Sequence, residues 1–182
     1  IKPCSNAVIF FVMDISGSMT TEKKFIARSF YFLLYHFIRS KYNHTDIVFV
    51  SHDTAAYEVN EDQFFTRGNS GGTKVSSGLL KVEEIIQQRY HPNSWNIYVF
   101  QCSDGDNWPD DTQKTLESME RIKRQSQLVG YCEIDTSPLG ASGGSDWFAD
   151  SRLSKVYMPI SDKKLKMAEV KTKKDVWPAF NK

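Results

Sequence analysis

The sequence has little cysteine, no excess of either charge and no hydrophobic run of membrane-spanning length. Cys4, Cys102 and Cys132 are its only three thiols. An odd, sparse set is no disulfide framework, and two of the three fall in segments that read as core strands. The expectation is reduced thiols in a cytoplasmic protein. There is no C-x-x-C, and no Cys/His spacing suits zinc. His36, His44, His52 and His91 lie too far apart in sequence to support a metal cage. With 23 basic against 22 acidic residues the formal net charge is +1, which gives no support for nucleic-acid binding or a charged membrane surface. Nothing at the start resembles a signal peptide, and no segment is long and apolar enough for a bilayer. Internal repeats and dividing linkers are also missing. The chain opens on Ile1, so the expectation is one domain spanning 1–182, taken from a longer chain.

What is present is concentrated first in residues 7–19. The apolar run Ala7-Val8-Ile9-Phe10-Phe11-Val12-Met13 has strand length and composition and stops abruptly at Asp14. Ser16 and Ser18 follow at alternate positions, with Gly17 between them to permit a tight curl. Three hard oxygen donors at the carboxyl end of a buried strand suit Mg²⁺ or a similar cation. Alone, the same residues also describe a polar turn capping a helix.

The remaining pattern alternates strands and helices. A helix is predicted over 21–41, with Phe25, Ile26, Phe30, Leu33, Leu34, Phe37 and Ile38 as its apolar stripe. Strands over 46–51 and 55–59, joined by the short turn His52-Asp53-Thr54, predict an antiparallel hairpin. A short helix over 61–67 precedes the Gly-rich segment 68–73, which launches a helix to about Arg89 through Val75, Leu79, Val82 and Ile86. Residues 95–102 form a near-continuous apolar strand of the kind buried on both faces. It runs into Ser103-Asp104-Gly105-Asp106, and Pro109 opens a helix to about Gln125, with Leu116, Met119 and Ile122 facing inward. Strands are expected at 128–134 and 156–160, separated by a Gly/Ser-rich loop over 138–145 and a helical turn near 147–151. The basic end of the chain reads as a solvated helical or irregular face. The fold class is α/β: a doubly wound, three-layer, mostly parallel sheet with one antiparallel edge strand.

In such a sheet, sites form beyond the carboxyl ends of the strands. Asp14, Ser16 and Ser18 lie beyond the first strand, and Asp104 beyond the strand at 95–102. Thr73 opens a helix that must descend from that same end. The topology therefore gathers Asp14, Ser16, Ser18, Thr73 and Asp104 on one rim. His52, Asp53, Asp106, Trp108 and the loop at 142–147 are rim candidates for partner contact.

The loops Asp14-Ile15-Ser16-Gly17-Ser18, Gly71-Gly72-Thr73 and Ser103-Asp104-Gly105 together resemble the von Willebrand factor A domain and its metal-ion-dependent adhesion site. More narrowly, Phe11 to Met19 and Ser51-His52-Asp53-Thr54-Ala55 resemble the bacterial YhbH/YeaH-type family of sporulation and stress proteins. The resemblance implies that Ser16, Ser18 and Thr73 touch the metal while Asp14 and Asp104 act through water. It implies Mg²⁺ (or Mn²⁺ or Ca²⁺) with one coordination position facing out, open to a partner's Asp or Glu carboxylate. It also implies a setting alongside a serine protein kinase and a SpoVR-type protein, without nucleic acid or membrane.

Enzyme readings are weaker. Residues 140–144 satisfy the G-x-S-x-G hydrolase pattern around Ser142, but Pro138 and several loop residues intervene after the strand. A phosphate-binding P-loop at 68–74 would need glycine before Lys74, where Thr73 stands, and Ser or Thr where Val75 stands. A metal-dependent hydrolase or phosphatase using Asp14 and Asp104 is the remaining alternative, although Ser16 replaces the second carboxylate such a site would want.

Overall fold

The computed structural model describes residues 6–66, 68, 71–136 and 152–180. Cys4, the G-x-S-x-G segment with Ser142, and the loop and turn expected over 138–151 lie outside the described residues.

Strand β1 (Asn6–Asp14) is the axis of a six-stranded sheet. It pairs in parallel with β2 (His44–His52) on one side and β4 (Asn96–Ser103) on the other. Beyond β2, the short strand β3 (Ala56–Val59) runs antiparallel. Beyond β4 come β5 (Leu128–Ile134) and β6 (Leu165–Val170), both parallel. The order is β3-β2-β1-β4-β5-β6, a mostly parallel sheet with one antiparallel edge strand, as expected from the alternation.

The unbroken apolar run of β1 follows from its having no solvent face. Its alternate side chains feed two separate cores. Ala7, Ile9, Phe11 and Met13 pack with Ile26, Phe30, Tyr31 and Leu34 of α1 (Thr21–Arg39). Val8, Phe10 and Val12 pack with Val75, Leu79, Val82 and Ile86 of α3 (Val75–Arg89), and with Met119 and Ile122 of α4 (Thr112–Gln125). A short helix α2 (Glu61–Thr66) closes the β3 side with the buried Phe64. Two further helices, α5 (Leu153–Tyr157) and α6 (Val176–Phe180), flank β6. Among the described residues no helix is long and apolar enough to cross a membrane.

Three expectations are corrected. In α1, Phe25 and Phe37 are half exposed, and Tyr31 takes the core position, its hydroxyl donating to Val12 O at 2.7 Å. At ~100° per residue Phe25 falls opposite the buried arc, where Lys173 Nζ lies 4.7 Å from its ring centroid. Phe37 sits in the last turn with Lys41 Nζ 5.5 Å from its ring. In α4, Leu116 is only partly buried, and Thr115 and Ser118 turn inward instead.

The third correction is the last strand. Residues 156–160 are helical: α5 continues into a 3-10 turn, Met158–Ile160. Leu153 and Tyr157, one helical turn apart, are both fully buried, and Pro159 could not donate to a ladder. The sixth strand is instead Leu165–Val170, within the basic stretch expected to be helical or irregular. Its Lys166 and Glu169 suit an edge strand, where charge discourages further pairing.

Candidate functional site

Parallel pairing of β1, β2 and β4 delivers Asp14, His52 and Ser103 to the same end of the sheet. After Asp14 the chain curls at once. Ser16 N donates to Asp14 Oδ1 at 2.8 Å, and Met19 N to Ser16 O at 3.1 Å. The curl brings Ser16 Oγ and Ser18 Oγ to 3.1 Å. From β4, Ser103 Oγ donates to Asp14 Oδ2 at 3.4 Å. Asp104 follows and is itself buried. Its Oδ2 accepts from Lys23 Nζ at 3.0 Å, and the same ammonium donates to Ser18 O at 3.0 Å.

Thr73 is carried by a loop fastened from both sides. Lys74 N donates to Asp53 O at 2.8 Å, and Trp108 N to Thr73 O at 3.2 Å. The hairpin after β2 also holds the first loop, through Ile15 N to His52 O at 2.9 Å. The α3 N-terminus gets no side-chain cap from its own flank; the loop after β4 supplies the acceptors. Asp111 accepts from Ser76 N at 2.9 Å, Ser76 Oγ at 2.5 Å and Thr115 Oγ1 at 2.9 Å, while Asn107 Oδ1 accepts from Val75 N at 3.1 Å. These are the orphan donors of a helix start, satisfied by a neighbouring loop. The three loops therefore form one hydrogen-bonded unit.

The structure brings Asp14, Ser16, Ser18 and Asp104 together. Thr73 joins Ser16 and Ser18 along a cleft of about 320 Å³, walled by Gly72, Trp108 and Pro109. Burial is the main reason that the Asp14 carboxyl is pushed up to about 7. The negative charge of Asp104 adds to the shift, and the hydrogen bonds from Ser16 and Ser103 oppose it. Asp106 is raised too, by partial enclosure first and then by Asp104 and Asp14. Lys24 is lowered by burial, against the pull of Asp14. Among the described residues no group of three or more His, Cys, Asp or Glu is placed to hold a metal. The donor set of this rim is two carboxylates and three hydroxyls.

Of the partner-contact candidates, Asp106 and Trp108 are exposed, whereas His52 and Asp53 are buried. Their partner-contact reading is corrected on that ground, since an enclosed side chain cannot touch a partner. Asp53 Oδ1 accepts from Ala55 N at 2.8 Å, an Asx-type turn. His52 packs against Gly78, where an added Cβ would lie 2.6 Å from its Cδ2. Burial lowers the His52 pKa to about 4. Sequence reasoning missed Lys23, Asn107 and Asp111. Lys23 carried a legible signal, because a cation in the first turn of a helix opposes the helix dipole and calls for a compensating anion. Asp111 and Asn107 satisfy partners 35 and 32 residues away, which no local pattern reveals.

The sheet order, the antiparallel edge and the rim define a von Willebrand factor A-like fold. Solved structures agree. The pilus adhesin SpaC from Lactobacillus rhamnosus GG in its open conformation superposes with a TM-score of 0.66 at 12% identity, covering 99% of this chain and 30% of that one. The ArnB paralog VWA2 from Sulfolobus acidocaldarius gives 0.59 at 12% identity, covering 93% and 42%. Manganese-loaded Plasmodium vivax TRAP protein gives 0.55 at 14%, covering 91% and 69%. At these identities the likeness shows the fold alone. The chain belongs to the family described as "Protein of unknown function (DUF444)", whose model matches residues 1–182. A UPF0229 protein of Ruminiclostridium cellulolyticum is 48% identical over 177 residues, 97% of this chain but 43% of its own length. A UPF0229 protein of Clostridium perfringens is 43% identical over 179 residues, covering 98% and 43%. The chain thus spans less than half the length of these curated relatives.

Proposed function

We propose that the rim is a divalent-cation site of the metal-ion-dependent adhesion type, completed by a carboxylate from a partner protein. The observation that carries this is the convergence of Asp14, Ser16, Ser18 and Asp104 at one point, with Thr73 on the same cleft. The donors are all hard oxygens, which suits Mg²⁺ and equally Mn²⁺ or Ca²⁺. The rim already attracts a cation, since the Lys23 ammonium lies 3.0 Å from both Asp104 Oδ2 and Ser18 O. Ser16, Ser18 and Thr73 would hold the metal through neutral hydroxyls, and Asp14 and Asp104 would supply the charge. A metal held mainly by neutral donors keeps much of its positive charge for an incoming Asp or Glu. That one fold neighbour is named an adhesin and another is manganese-loaded accords with this reading.

By its family resemblance, we propose a partner in a bacterial sporulation or stress pathway, a serine protein kinase or SpoVR-type protein, met in the cytoplasm. A metal-dependent hydrolase or phosphatase using the same Asp14 and Asp104 is a second reading, because a divalent cation held there could also activate a water. The full burial of Asp14 behind Ser16 and Ser103 opposes it, because no substrate atom could reach that carboxyl. Affinity capture from a bacterial lysate, with and without chelator, compares the wild type with Asp14→Ala. Partners lost under both conditions support metal-bridged recognition; a partner set indifferent to both contradicts it. Phosphoester turnover abolished in Asp14→Ala would favour the second reading.

A further inference from the structure

Two unlike kinds of residue line the cleft: the hydroxyl-bearing Ser16, Ser18 and Thr73, and Trp108 and Pro109 with the bare Gly72. Trp108 is 41% exposed, yet it is not loosely held. Its backbone N–H donates to Thr73 O at 3.2 Å, and its backbone carbonyl accepts from Asp111 N at 3.0 Å. The indole packs against Gly72, where an added Cβ would stand 2.5 Å from Cζ2 and 2.6 Å from Nε1. Any side chain at position 72 would therefore push the ring out of its place. Lys74 Nζ, 5.0 Å from the ring centroid, adds a cation–π contact. A main chain held at both its N–H and its carbonyl, a cation over the ring and no side chain at position 72 make a preorganised aromatic surface in the same cleft as the hydroxyls.

At about 320 Å³ the cleft falls at the lower end of the ~300–1,000 Å³ typical of ligand sites, more than a lone carboxylate needs. We infer that it is a two-part recognition site, in which the partner's acidic residue is flanked by an aromatic or branched aliphatic residue that packs on Trp108. This rests on the metal-bridged reading for its acidic half and on Trp108 for its apolar half. A second acidic residue in the flanking position would face Asp106, which is exposed beside the indole. The recognised motif is thus a single carboxylate beside an apolar side chain, and not an acidic run. A preformed aromatic wall contributes affinity without the entropic cost of ordering a mobile side chain.

The probes are four acetylated, amidated hexapeptides: Phe-Glu, Gly-Glu, Phe-Gln and Gly-Gln pairs in a Gly/Ser context. Binding is followed by calorimetry and by the indole N–H resonances, at saturating Mg²⁺ and with chelator. The Phe-Glu peptide should bind about five- to tenfold more tightly than Gly-Glu, the scale of an aromatic contact. Trp108→Ala should erase that ratio while leaving Gly-Glu affinity within about twofold, and Trp108→Phe should restore part of it. Equal affinity for Phe-Glu and Gly-Glu, or a preference that survives Trp108→Ala, overturns the inference. Indifference to Glu against Gln and to chelator overturns the metal-bridged reading separately, because the Phe-Gln and Gly-Gln pair still reports on Trp108. Absence of binding by all four at millimolar concentration overturns both.

Discussion

The Lys23 ammonium joins two loops of the rim, 3.0 Å from Asp104 Oδ2 and 3.0 Å from Ser18 O, with its side chain only 16% exposed. The first turn of α1 thereby supplies a tethered cation to a cluster of acids and hydroxyls. There it offsets part of the repulsion between Asp14 and Asp104, beside the hydrogen bonds that Asp14 accepts from Ser16 and Ser103.

A bound divalent cation would have to compete with this tether. Lys23→Met removes the tethered charge while keeping most of the aliphatic stem. The apparent affinity for Mg²⁺ or Mn²⁺, measured by calorimetry at low ionic strength, should rise by about tenfold, equivalent to ~1.4 kcal/mol of removed competition. An unchanged affinity would show that Lys23 does not compete for the site, and a weakened one that it supports the cation instead.

Two buried groups at the end of the sheet give opposite pH dependences. Asp14 has its pKa raised from 3.8 to about 7, so its contribution to metal-free stability is full below 3.8 and is lost as pH rises through 7. His52 has its pKa lowered from 6.5 to about 4, so its contribution is full above 6.5 and is lost as pH falls through 4. Each amounts to something on the order of 3 to 4 kcal/mol, and they oppose one another between pH 4 and 7. Chemical denaturation of the metal-free wild type should therefore change little across that window. Asp14→Asn should become more stable as pH rises, and His52→Phe less stable. Parallel profiles for all three proteins would mean that neither group titrates as its burial requires.

Gly105 is the only described non-terminal position with a left-handed backbone, at φ 94°. A Cβ there would come within 2.9 Å of the Glu133 carboxylate. That carboxylate is fixed by Arg152, by Tyr131 Oη and by Ser154, so it has little freedom to yield. Gly105→Ala should lower stability by roughly 1 to 3 kcal/mol through strain and crowding together. Because Gly105 follows Asp104 directly, metal affinity should fall as well. A thermal melt and a cation titration of the same variant check both.

The central strand, the doubly wound order and the antiparallel hairpin were legible because β1 and β4 are buried on both faces and so read as continuous apolar runs. The rim was legible for the same topological reason: parallel strands must deliver Asp14 and Asp104 to one end. Two features escaped local reading. Leu153 and Tyr157 belong to a five-residue helix too short to show a period, and β6 takes its identity from pairing with β5 and not from its own mixed pattern, Leu165 to Val170. His52 and Asp53 looked accessible because turn residues usually are. Here α3 packs over them, with Gly78 admitting the imidazole.

The most direct test of the account is a Mn²⁺ titration of the protein followed by electron paramagnetic resonance, with Ser16→Ala/Ser18→Ala as the comparison. One saturable site in the wild type, displaced by excess Mg²⁺ and lost in the double variant while its fold is retained by circular dichroism, is the predicted result. No saturable site in the wild type, or one that survives removal of both hydroxyls, would contradict it.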